Sequence, residues 1–171
     1  MQGKAWETPA KAAIVYRMRD NRFIAEHRGG PLSQAQHRSL MRWALTCVEH
    51  VLPLMPDDVD PRLQQALDIG RKWEAGEEPT GAAQKASVAA HAAARSYEHP
   101  ASIAVARSIA QAVATAHFAD HSLVAATYAL KAVKSAGGSV EDETAWQNGE
   151  LGDDIRHLVA QSRTQRENLL S

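Results

Sequence analysis

The chain has 171 residues with 44% hydrophobic and 23% charged content, one domain's worth of ordinary globular composition and long enough to bury a core. Aromatics are 5% and Cys47 is the one cysteine, so the core must be aliphatic and small, and an internal disulfide framework is excluded. The formal net charge of -1 favours no charged partner, although residues 1–42 hold eight Lys/Arg against three Asp/Glu and the remainder is acidic.

The first segment, residues 1–31, reads as a basic extension with a short helix, started by Thr8-Pro9 and closed by Arg28-Gly29-Gly30-Pro31. It carries Lys4, Glu7, Lys11, Arg17 and Arg19 without an apolar stretch, unlike a signal peptide. Residues 32–171 read as the helical domain. Ser33 can cap a helix whose apolar stripe is Leu40, Trp43, Ala44, Cys47, Val51 and Leu54. A loop from Pro53 to Pro61 follows. Asp60-Pro61 then pairs an N-cap with proline at the first helical position, ahead of a stripe of Leu63, Ala66, Leu67, Gly70 and Trp73.

Gly76 to Gly81 marks the next loop, and Thr80 is the expected cap of a helix through Tyr97. The break at Glu98-His99-Pro100 starts another, with a stripe of Ile103, Ala106, Ala110, Val113 and His117. Gly137 is a suitable C-terminal stop, Asp142 suits a helix N-terminus, and Gly149 and Gly152 bracket the last irregular step. No segment alternates as a strand does. The expectation is an all-α, single-domain bundle of about six to eight helices.

The centre of that bundle is alanine-rich, with twenty alanines between residues 82 and 132. Alanine forms helix readily, but a buried methyl contributes only about 0.8 kcal/mol. Three central helices, about 81–97, 100–118 and 121–136, are therefore expected to pack with closely approaching axes. The longest charge-free run there, Ser108 to Ala119, is too short to span a bilayer, so no membrane association and a cytoplasmic location are expected.

Polar residues stand out against so bland a centre. His91 and Arg95 share one helix side with Gln84 and Val88. His117 and His121 form an i, i+4 pair that faces one way if the helix is continuous, and His91 can offer a third ligand. This cluster of His91, Arg95, His117 and His121 is a candidate metal- or small-molecule site on a helical bundle, an enzyme's in one form of that reading; the plainer reading is that the four side chains are polar pins that dock the helices. The HExxH pattern is absent, because Phe118 follows His117. Cys47 and His50 sit three apart, but Cys47 lies on the apolar stripe and reads as an inert buried thiol. No catalytic constellation, metal motif or cofactor loop is built in. An acidic surface at Asp57, Asp58, Asp60, Glu74, Glu77 and Glu78 can meet a basic protein partner. A nucleic-acid partner is disfavoured; it would have to use Arg17, Arg19, Arg22, Arg28, Arg38 and Arg42.

Several stretches also carry a family resemblance. They are Trp43-Ala44-Leu45-Thr46-Cys47-Val48-Glu49-His50-Val51-Leu52-Pro53-Leu54, then Asp60-Pro61-Arg62 leading to Trp73 and Gly76-Glu77. Next come Ala89-Ala90-His91-Ala92-Ala93-Ala94-Arg95 and Ala114-Thr115-Ala116-His117 through His121, Tyr128 and Lys131. Trp146-Gln147 and Ile155-Arg156-His157-Leu158-Val159 follow. In order and spacing, from about residue 32 to 160, they resemble the immunity-protein-five-like family of bacterial polymorphic toxin systems. The resemblance implies a small helical protein that binds and neutralises a cognate toxin, and it implies no catalytic mechanism. Residues 1–31 fall outside it.

Overall fold

The computed structural model describes residues 20–170, so the expected Thr8-Pro9 helix start and Arg17 and Arg19 lie outside the described residues. Among the described residues the chain is all-helical. Its α-helices are α1 (Gln34–Val51), α2 (Pro61–Ala75), α3 (Thr80–Ala94), α4 (Pro100–Ala114), α5 (His121–Ser135), α6 (Val140–Gly149) and α7 (Asp153–Leu170). None of them is long and apolar enough to cross a membrane.

Local chemistry sets most of these boundaries. Ser33 and Gln36 form a reciprocal capping box at the start of α1. Asp60 accepts from the Arg62 amide with Pro61 at the first helical position of α2. His99 accepts from the Ala101 amide and precedes Pro100. Two expectations are corrected. Pro79, not Thr80, is the N-cap of α3; Thr80 lies inside the helix, and its hydroxyl accepts from the Trp73 indole at 3.1 Å. The second central helix ends at Ala114 rather than 118, because residues 115–120 turn the chain back into α5.

The alanine-rich helices form the centre, as their composition requires. Eleven of the fifteen residues of α4 are buried, and it packs against α1, α2, α3 and α5. Two serines show how close the backbones come. Ser87 on α3 donates to the Ala110 carbonyl of α4 at 3.0 Å, and Ser108 on α4 donates to the Ala125 carbonyl of α5 at 2.8 Å. A side chain with one rotatable bond before its oxygen reaches a neighbouring backbone only when both faces carry small residues. Ala83, Ala90, Ala106, Ala112 and Ala129 supply those faces and are fully buried.

Residues 20–32 form a strap over one end of this core. Two 3-10 turns, Asn21–Phe23 and Glu26–Arg28, are drawn together by Glu26 and Leu32 backbone bonds of 2.9 and 3.0 Å, and Phe23, Ala25 and Leu32 are buried. A Cβ on Gly30 would lie 2.0 Å from the Ile24 carbonyl oxygen, so only glycine permits this fold-back. Asp20 anchors the strap to α7 through the Ser162 hydroxyl at 2.8 Å.

Candidate functional site

The strap, the start of α1 and the α4–α5 turn enclose the polar groups of most interest. His37 stands at their junction, 4% exposed. Its Nε2 donates to the Thr115 carbonyl at 2.6 Å, and its ring meets the Trp73 indole with centroids 4.9 Å apart. Burial holds the imidazole below its usual pKa, with the charges of His27 and Arg28 acting in the same direction against the partial support of the Thr115 bond. A neutral ring that donates through Nε2 presents Nδ1 as an acceptor.

A cavity opens on either side of this imidazole. One, of about 350 Å³, lies under the strap and is lined by Phe23, Ile24 and Arg28 facing His117, Phe118 and Asp120. The Arg28 guanidinium covers the Phe118 ring at 4.7 Å. The other, of about 430 Å³, lies between the strap, the end of α2 and the start of α3, and contains Arg38, Trp73 and Glu78.

The four-residue histidine cluster expected from the sequence divides in two. His117 and His121 do meet, with ring centroids 5.3 Å apart, and the Gln111 side-chain oxygen accepts from His121 Nδ1 at 2.6 Å. They meet across the α4–α5 turn and not along a continuous helix. His91 lies elsewhere. Antiparallel packing of α3 on α4 sets it beside Arg107, ten residues from His117 and so roughly 15 Å along the bundle. His91 is half-buried, Arg95 and Gln84 beside it are exposed, and Val88 on the same side is 65% exposed, so this is the outward face of α3 and not the interior of the alanine-rich centre. Burial and then the charges of Arg107 and Arg95 lower the His91 pKa, and those guanidinium groups oppose a cation beside it. Among the described residues no three His, Cys, Asp or Glu side chains converge as a metal site.

Cys47 is buried, and desolvation raises its thiol pKa far above the usual range, opposite to what a nucleophile needs. Its neighbour in sequence, His50, turns away to the Glu143 carboxylate at 2.8 Å and stacks on Trp146 at 3.6 Å.

The acidic residues flank α2. Asp57 and Asp58 are exposed beside its N-terminus, while the Asp60 side chain serves as its cap and pairs with Arg62 at 2.7 Å. Glu74, Glu77 and Glu78 lie at the other end, with Glu74 paired to Arg42. A fifteen-residue helix separates the two groups by roughly 20 Å.

Two features were not singled out in the sequence. His37 continues the Leu40–Ala44 stripe one turn earlier, and a histidine on an apolar stripe was the available signal. The second is a buried polar network: Gln147, fully buried, donates to the Ala126 carbonyl at 3.1 Å, accepts from Arg163 at 2.6 Å, and its own carbonyl accepts from the Trp43 indole at 2.8 Å. Glu143 and Gln147 share an i, i+4 face that looks solvent-facing by composition.

Comparison with known proteins bears on what these features serve. The family described as "Imm-5 like putative immunity protein" matches residues 30–154, which span α1 to α6 and the start of α7. No curated protein and no solved structure matches the chain.

Proposed function

The chain belongs to the family described as "Imm-5 like putative immunity protein", and on that footing we propose that it binds a cognate bacterial toxin in the cytoplasm and neutralises it by protein–protein contact. The family match over residues 30–154 carries this reading. The body it covers is a closely packed helical bundle with exposed acids at both ends of α2, suited to rigid docking. Asp57, Asp58 and Asp60 with Glu74, Glu77 and Glu78 complement a basic partner such as a nuclease toxin, and such complementarity speeds association. The binding surface is assigned to the bundle from residue 32 onward, with residues 1–31 as an accessory segment. Co-expression with any neighbouring gene that is toxic when expressed alone tests the reading: growth is restored when the chain is present, and unrelieved toxicity argues against it.

A second reading has the cavity of about 350 Å³ beside His117 behind it. It makes the His117 corner, with His121, a small-molecule or metal site, and His91 and Arg95 do not contribute. Added zinc raises the melting temperature if the site holds metal, since a ligand bound only by the folded state stabilises it; an unchanged melting temperature removes the metal form of this reading.

A further inference from the structure

We propose that the cleft of about 430 Å³ between the strap, the C-terminal end of α2 and the start of α3 is a carboxylate-binding site, with Arg38 receiving the anion. The inference stands independently of the toxin-binding reading. Arg38 is half-buried and lines the cleft, yet among the described residues its guanidinium makes no hydrogen bond or ion pair. Arg42, one turn further along α1, is paired with Glu74. A guanidinium partly withdrawn from water without a partner is costly, and a carboxylate is the planar acceptor that matches its fork.

The guanidinium packs against Gly76 at the end of α2. A Cβ on Gly76 would lie 2.9 Å from Arg38 Nη2 and 3.5 Å from its Cζ, so the group lies against the bare Cα of a residue whose φ of +81° already favours glycine. The surrounding chemistry selects the kind of anion. Glu78 and Glu26, the latter accepting from the Gln34 amide, share the cleft, and like charge penalises a doubly charged phosphate more than a singly charged carboxylate. Trp73, Pro79 and Ala116 offer apolar contact for a carbon stem. The ligand is therefore a carboxylate on a short apolar stem, either a free small acid or a glutamate or aspartate side chain presented by a protein.

The test follows the Trp73 indole N–H resonance of the full chain by NMR at mildly alkaline pH, during titration with propionate, with N-acetylglutamate amide and with inorganic phosphate. A saturable shift with at least one carboxylate, weaker with phosphate, is the expected result. Propionate binding identifies a small-acid site, and binding of the glutamate derivative alone identifies a side-chain site. Arg38→Gln loses the shift, Arg38→Lys retains a weakened one, and Arg42→Gln leaves it intact, with thermal unfolding of each variant confirming a folded bundle. The proposal is overturned by no saturable shift with either carboxylate, by phosphate binding as strongly, or by an undiminished response in folded Arg38→Gln or Arg38→Lys.

Discussion

His37 on α1 holds the backbone of the α4–α5 turn, donating from Nε2 to the Thr115 carbonyl at 2.6 Å. Burial keeps its folded pKa below the ordinary 6.5, so as pH falls the unfolded chain takes up this proton first. Stability therefore rises with pH through that range and is lost as pH falls below about 6.5. His91 shifts in the same direction for the same leading reason. His37→Gln can keep the donor to Thr115 without titrating, so the slope of melting temperature between about pH 5 and pH 8 becomes shallower than in the wild type. An identical slope would place the titration elsewhere.

The small-residue packing of α3, α4 and α5 makes a graded prediction. Ser108→Ala removes the bond to the Ala125 carbonyl and costs about 1 kcal/mol. Ala110→Leu, at a fully buried position whose carbonyl accepts from Ser87, forces α3 and α4 apart and costs about 3 kcal/mol or more. Val88→Ala, at a position 65% exposed, is close to neutral. Urea unfolding of the three variants checks the ranking, and an unaffected Ala110→Leu would mean that the helices are not closely packed.

Asp20 joins the strap to α7. The Arg22 side chain beside it, with Ser162 as a further donor, lowers its carboxyl pKa from 3.8 to about 2. A depressed folded pKa stabilises above the unfolded value and is lost as pH falls through the folded one. Asp20→Asn is thus expected to cost about 1–2 kcal/mol at neutral pH, discounted for partial exposure, and only a small fraction of that as pH falls to about 2. Chemical unfolding at the two pH values gives the difference; a gap that persists in acid would point to lost packing instead.

Gln147 is the polar centre of the α1–α6–α7 contact. Gln147→Leu removes the donor to the Ala126 carbonyl and the acceptor of one Arg163 N–H, so it is expected to cost about 2–3 kcal/mol in equilibrium unfolding. A neutral result would show that water replaces the side chain without penalty.

The helices were largely legible because their signals are local. Ser33, Asp60-Pro61, Pro100 and Gly137 each act within one turn of the chain, and the stripes Leu40–Val51 and Leu63–Gly70 report burial directly. The polar groups were less legible because their meaning depends on helices distant in sequence. His91 lies on α3 whereas His117 lies in the turn beyond α4, and the buried Glu143 is met by His50 from a helix distant in sequence and by Gln147. The i, i+4 spacing of His117 and His121 does bring the rings together, but through a turn that starts four residues earlier than the stripe suggests.

Neutralisation by direct contact is decided by calorimetric titration of the purified chain into the purified product of a neighbouring gene that is toxic when expressed alone. A saturable one-to-one complex is expected, and it binds more weakly when Asp57, Asp58, Glu77 and Glu78 are changed to their amides. No heat of binding and no co-migrating complex, with both proteins folded, would contradict it.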